Sequence, residues 1–296
     1  MAVRPLIPAL AERARKDFGE TPDLLQAKLQ EIKDWIATQP HLRARTDDQW
    51  LTAFLRGCKF KVDQAKKKID LYYSVRSTNP EIYTMKHNDP KLKQALDLGS
   101  AIILQKLKEP AAPRPYLLRL GSYNSKEWHI YDIMTAANFQ LQVCFMEDDN
   151  LSVAGLTTII DVRNTHLSHY LQITFKTLRC LLRAYQEAMP IRIKDTHIIG
   201  SFYLFEAIMN IAKRFLSNKI NKRIMVHSNM ESLYKHLPKE ILPAELGGTG
   251  STLQENIDYW KHKFDDYRDF FEEDLQYATD ESLREMEQKS KIQDFD

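Results

Sequence analysis

The feature that most narrows the possible folds is the alternation that sets in after Pro90. Short runs rich in β-branched and aromatic residues (101–104, 116–120, 156–162, 196–199 and 224–227) are separated by stretches with helical spacing. The first two runs are joined through a proline-rich link, EPAAPRP, which suits a hairpin pair. Later runs are separated by segments long enough for crossover helices: about 131–147, a helical stretch across 167–189, and the stretch 200–223. Strands alternating with helices of this length imply βαβ units and a mostly parallel, buried sheet, hence an α/β fold.

The chain ahead of this region reads as helical throughout. A helix is expected before Phe18, and Thr21 then serves as an N-cap with Pro22 at the first helical position, opening a helix with Leu25, Leu29, Ile32 and Ile36 on one face. Thr46 followed by Gln49 reads as a capping box for the helix WLTAFLRG, and a further helix over 63–76 places Ala65, Ile69 and Tyr72 together. After one more capped helix, from Asp89 and Pro90 to near Gly99, the α/β region begins. The run LPKEILPAELGGTG closes that region, and a last helix (253–271) and an acidic tail follow. The expected organisation is a helical module at 1–90, a sheet-containing domain at 91–250 and a C-terminal helix with its tail at 251–296.

A net charge of +2 conceals an asymmetry, because residues 265–296 hold twelve acids against four bases. A block of that kind reads as solvated. Cys58, Cys144 and Cys180 are far apart and have no metal-ligand spacing, so they read as reduced core thiols. The N-terminus lacks an uninterrupted apolar h-region, and no run approaches a membrane span in length. The expectation is a cytoplasmic monomer whose contact with membranes is peripheral.

The stretch GSFYLFEAIMNIAKRFLSNKINKR, 200–223, carries more apolar surface than a core-facing helix needs. Leu204, Ile208, Ile211 and Phe215 fall on one line, and Phe205, Met209, Ala212 and Leu216 on a second beside it. Part of that surface must face something other than one core-facing stripe; a removable ligand or a membrane would fit, and a buried helix with a solvated basic face is the competing reading. From Arg192 to Arg223 there are seven Lys or Arg against two acids, so the polar remainder is basic. The segment reads as a hinged lid over an apolar cavity, with a cationic rim suited to anionic lipid.

No enzyme signature stands out. G-x-G-x-x-G, Gly-Lys-Ser/Thr, H-E-x-x-H and G-x-S-x-G are all absent, so no catalytic residue and no cofactor site is assigned. His166 and His169 share a helical spacing but lack a third ligand, so no metal is expected. Asp161, Ser201 and His227 sit at strand ends without a pattern that joins them. The basic helix has no aromatic residues interleaved with its charges, which argues against nucleic acid.

The segment TDDQWLTAFLRGCKFKVDQAKKKIDLYYSVR resembles the helical N-terminal module of CRAL-TRIO lipid-transfer proteins, and 155–248 resembles their lipid-binding domain through GLTTIIDV, HLSHYLQIT, YQEAMPIRIKDTHII, FLSNKINKRIMVH and ILPAELGG. Within that family the chain is most similar to the branch of the α-tocopherol transfer protein and the retinaldehyde-binding protein. The resemblance implies a helical N-terminal layer, a mixed sheet floor, a closed apolar cavity and a mobile lid at 200–223. It implies a ligand pocket that includes Leu118, Leu156, Ile160, Leu167, Leu171, Ile173, Leu181, Tyr185, Ile193, Leu204, Ile208 and Ile211. Phe139, Gln142 and Val143, on the helix before the third strand, complete the candidate ligand-binding set. A phosphoinositide-binding rim maps onto Arg192, Lys194, Lys219 and Arg223, joined by Lys222; Cys58 replaces a family arginine there and leaves Arg56 and Lys59 on either side. The implied activity is transfer of a small hydrophobic lipid, α-tocopherol or similar, between membranes, with anionic phospholipid promoting lid opening. A retinoid or carotenoid carrier and a phospholipid-sensing regulator are the alternatives.

Overall fold

The computed structural model describes residues 3–83, 86–200 and 203–284. Helices α1 (Pro8–Phe18) and α2 (Pro22–Ala37) meet at Gly19, whose φ of 71° lets α1 end in a left-handed turn. Thr21 caps α2 by accepting from the Leu24 N–H at 3.2 Å. A two-residue strand β1 (Leu42–Arg43) leads into α3 (Asp48–Gly57), α4 (Val62–Thr78), α5 (Pro80–Tyr83) and α6 (Pro90–Asp97). The Thr46–Gln49 capping box does not form. Helix α3 starts behind Asp47 with no side-chain cap, because the Gln49 Oε1 accepts instead from the Arg4 N–H at 3.0 Å. Trp50, Phe54, Ile69 and Tyr72 are buried, and Trp50 and Phe54 each meet Tyr72 edge-on, so α3 and α4 share an aromatic core.

Strand β2 (Ala101–Ile103) pairs antiparallel with β3 (Arg114–Arg119), forming the expected hairpin. Helix α7 (Ile130–Glu147) then leads to β4 (Leu156–Asp161). Short α8 (Leu167–Leu171), α9 (Phe175–Arg183) and a π-helical turn at Ala184–Ala188 connect to β5 (Ile193–Ile199), which begins three residues earlier than expected. Helices α10 (Tyr203–Ala212) and α11 (Asn218–Asn221) complete the last crossover, to β6 (Ile224–His227). The strand order β2-β3-β4-β5-β6 follows the chain, and β3 to β6 are parallel. Each crossover therefore steps one strand in the same direction, and right-handed crossovers of that kind put all their helices on one face. That arrangement leaves a space between a sheet floor and a helical roof.

On the C-terminal side come α12 (Met230–Tyr234), α13 (Leu253–Asp266) and α14 (Arg268–Asp274), then β7 (Ala278–Thr279), which pairs with β1. The single terminal helix is thus broken at Tyr267. Most acids in the described part of the tail are exposed, as expected of a solvated block, but some of the tail's charges pair with the N-terminal region. Asp274 pairs with the buried Arg76 at 2.6 Å, Glu273 with Arg45 at 2.9 Å, and Arg284 returns to Asp70 at 2.6 Å. Asp274 and Glu273 thus neutralise arginines buried in the N-terminal region. Residues 285–296 lie outside the described residues.

Candidate functional site

Between sheet and roof lies a cavity of about 230 Å³. Protein interiors hold few voids larger than one water molecule, whose share of liquid volume is about 30 Å³, so this space is not a packing defect. Its floor is built by alternate residues of the parallel strands: Tyr116, Leu118 and Leu120 near β3; Leu156, Thr158 and Ile160 on β4; Ile193 and Thr196 on β5; and Ile224 on β6. One wall is Ile130 and Met134 of α7. Leu178, Leu181, Leu182 and Tyr185 descend from α9 and the π-helical turn, with Ile173 just before them. Phe205, Ile208, Met209 and Ala212 of α10 cover it, with Leu216 and Ile220 beyond. Among the described residues, no charged one lines this cavity.

Eight of the expected pocket residues meet there: Leu118, Leu156, Ile160, Ile173, Leu181, Tyr185, Ile193 and Ile208. Phe139 and Val143 do not. They lie roughly 140° and 180° round α7 from Met134, at 3.6 residues per turn. Phe139 instead packs on Phe264 and Phe271, with ring centroids 5.4 and 4.2 Å away. Helix α7 is buried on all sides, so its amphipathicity gave no sign of which face meets the cavity. Gln142 is buried and is not among the residues that line the cavity, and its Oε1 has no hydrogen-bond partner.

Leu167 and Leu171 also stand outside the cavity, exposed to 53% and 70%. The opposite side of α8 is the anchored one: Tyr170 Oη lies 2.7 Å from Thr165 Oγ1, and His169 Nε2 lies 2.9 Å from the Tyr123 carbonyl. His166 and His169 cap this helix reciprocally, and among the described residues no group of three potential metal ligands gathers. Asp161 is held by Arg163 at 2.7 Å and His227 by His197 at 2.9 Å, while Ser201 is outside the described residues.

The lid divides its apolar surface. Phe205, Ile208, Met209 and Ala212 face the cavity, whereas Ile211 is 41% exposed and Tyr203 and Phe215 are exposed as well. Leu204 belongs to α10, but its side chain is outside the described residues. Helix α10 stops at Ala212, and the turn at 213–217 hands over to α11, capped by the Ser217 hydroxyl. At the start of the lid, Gly200 has a φ of 87°, and a Cβ there would come within 2.9 Å of the Arg163 side chain.

Arg192, Lys194, Lys219 and Arg223 lie close enough at the lid's far end for their charges to interact, and Lys59 also acts on Lys219. Arg192 places its guanidinium 4.5 Å over the Phe18 ring and donates to the carbonyls of Ser152 and Val153. Burial pushes its pKa down to about 10, against the pull of Asp17. Burial, then Arg192 and Arg13, push Lys194 down to about 8. Lys219 is lowered first by Arg223 and then by burial, Lys59 and Arg192. The lowering of Lys194 and Lys219 by both Arg192 and Arg223, beside the effect of burial, marks a local concentration of positive charge. Arg223 donates to the Ile193 carbonyl, and Lys222 is exposed next to it. Arg56 is not part of this rim. It is 1% exposed and its guanidinium is taken by Glu20 at 2.7 Å and Asp149 at 3.1 Å.

A family model described as the CRAL/TRIO domain matches residues 107–248, and one described as Pinta-like, UBA domain matches residues 21–95. The chain is 29% identical to clavesin-2 of Rattus norvegicus over 294 residues, covering 96% of this chain and 88% of that protein. It is 31% identical to clavesin-2 of Mus musculus over 246 residues, 82% of this chain and 75% of that one. The crystal structure of Sfh5 superposes with a TM-score of 0.51 at 14% identity, covering 83% of this chain and 91% of the other, which shows a shared fold. With its mostly parallel sheet, its apolar cavity and these matches, the chain belongs to the CRAL-TRIO family of lipid-binding and transfer proteins, which are binding proteins and not enzymes.

Proposed function

We propose that this protein carries one small neutral lipid, of the size and polarity of a tocopherol, between membranes, and that anionic phospholipid, phosphoinositide included, promotes opening of its lid. The observation that carries this reading is the two-sided lid: α10 closes the apolar cavity with one face and leaves Ile211 exposed, Phe215 is exposed in the turn that follows, and a cluster of cations lies at the lid's far end. Each buried CH₂ contributes about 0.8 kcal/mol, so a ligand of this kind leaves for water very slowly. Release into a bilayer forfeits little of that stabilisation, because the ligand and the uncovered lid both find an apolar medium.

Leu167 and Leu171 supply further exposed apolar surface for that docked state. The cations supply the attraction, at about 1 kcal/mol for each Lys or Arg near an anionic surface. A phospholipid cargo fits less well, since a buried phosphate needs a buried cation and none of the described residues lining the cavity is one. Solvent extraction of the purified protein followed by mass spectrometry tests the reading: a neutral, largely hydrocarbon lipid in near-stoichiometric amount is expected, and a protein that neither retains nor takes up any such lipid would refute it.

A further inference from the structure

Three hydroxyl side chains cross the otherwise apolar floor in one row. Tyr116 on β3 stands opposite Thr158 on β4, and Thr158 stands opposite Thr196 on β5, so strand register places the three side by side on one face. All three line the cavity, and Tyr185 reaches the same space from the roof. The Tyr116 hydroxyl is buried without a well-formed hydrogen bond and has the Tyr185 phenol as a polar neighbour, and the Tyr185 hydroxyl makes a long contact to the Met134 sulfur, at 3.9 Å. Burial, and after it the neighbouring Tyr185 phenol, hold Tyr116 well above the ordinary phenol range, so it stays protonated and able to donate.

A buried hydroxyl without a well-formed hydrogen bond is costly, and native structures retain such groups where a ligand completes them. The rows on either side of the band, through Leu156 and Ile193 on one side and Leu118 and Ile160 on the other, are apolar. We propose that this band, led by Tyr116, is the site that anchors the ligand's polar group, and that it selects a neutral lipid bearing a hydroxyl over a hydrocarbon or a carboxylate. A hydroxyl both donates and accepts, as do the side chains facing it, whereas an ionised carboxylate would meet no cation. The inference rests on the carrier reading and specifies its ligand.

The test uses the full chain and measures partition of octadecanol, its methyl ether, octadecane and octadecanoate from neutral vesicles into the wild type and the Tyr116→Phe and Thr158→Val variants. Tyr116→Phe removes a hydroxyl that makes no well-formed hydrogen bond and should move the unfolding temperature little. It should weaken octadecanol uptake about tenfold, the loss of one good hydrogen bond, while octadecane uptake stays the same. Thr158→Val should act in the same direction, with the methyl ether intermediate and octadecanoate disfavoured throughout. If both variants take up alcohol and hydrocarbon in wild-type proportion, the anchoring band is refuted and the carrier reading stands. Failure of the wild type to take up any of the four would refute the carrier reading itself.

Discussion

The ring of Phe175, at the start of α9, stands edge-on to the ring of Phe215 in the lid turn, with centroids 5.5 Å apart and planes at 70°. Gln186 reinforces this contact from the π-helical turn: its Nε2 donates to the Phe215 carbonyl at 3.1 Å, and its Oε1 accepts from the Ser217 N–H at 2.9 Å. These groups tie the break between α10 and α11 to the roof. An edge-to-face pair contributes about 0.5–1.5 kcal/mol and an exposed hydrogen bond about as much. Gln186→Ala should therefore raise the open fraction about tenfold and speed spontaneous loss of bound lipid to neutral vesicles correspondingly. Release at the wild-type rate would place the moving part elsewhere in the roof.

Transfer to anionic vesicles should depend on the rim separately from this contact. Replacing Lys219 and Arg223 together by Ala removes about 2 kcal/mol of attraction at low salt, a loss of roughly thirtyfold in vesicle affinity. Transfer to neutral vesicles should not change, and high salt should bring the wild type down toward the variant. Equal losses on both kinds of vesicle would show that the substitutions damage the lid itself.

The sheet and its helical roof were legible because β-branched runs and helical spacing are local signals, and the lid because its apolar arc exceeded what one buried face requires. The polar row was not legible. Tyr116, Thr158 and Thr196 become neighbours only through strand register, and register is a property of pairing that no single strand displays. Phe139 and Val143 were misplaced because a helix buried on every side offers no polar face to orient it. Leu167 and Leu171 misled in the opposite way: in most proteins two leucines at i, i+4 point inward, and here they point to solvent.

Those two leucines give a third prediction. If α8 touches the bilayer, Leu171→Asp should lower membrane association and transfer rate by at least tenfold, since a carboxylate at an apolar interface is strongly disfavoured. Because the side chain is 70% exposed, the unfolding temperature should move little. Lipid binding in solution should also persist. A variant that binds vesicles as the wild type does would remove α8 from the contact surface.

Arg56 should behave as a structural residue. Its replacement by Ala leaves Glu20 and Asp149 facing each other across a buried gap, and removing one partner of a buried ion pair costs about 3–5 kcal/mol. Chemical denaturation should show that loss, with vesicle affinity of the remaining folded protein unchanged. A stable Arg56→Ala protein with weakened anionic-vesicle binding would return Arg56 to the rim.

Lys194 gives the rim a dependence on pH whose sign follows from its surroundings. Burial, then Arg192 and Arg13, lower its pKa to about 8 in the free protein, with Asp17 and Arg223 acting more weakly in opposite directions. An anionic head group beside it favours the charged form, so the pKa rises on docking and the protein takes up a proton when it binds near pH 8. The contribution of Lys194 to docking is complete below its free pKa and declines as pH rises from about 8 toward the higher value of the docked state. Affinity for anionic vesicles should accordingly fall between about pH 8 and pH 9.5, over a range in which the phospholipid charge is nearly constant. Lys194→Arg should flatten that fall, because a guanidinium keeps its proton throughout. An identical decline in the Lys194→Arg protein would mean that a different group titrates.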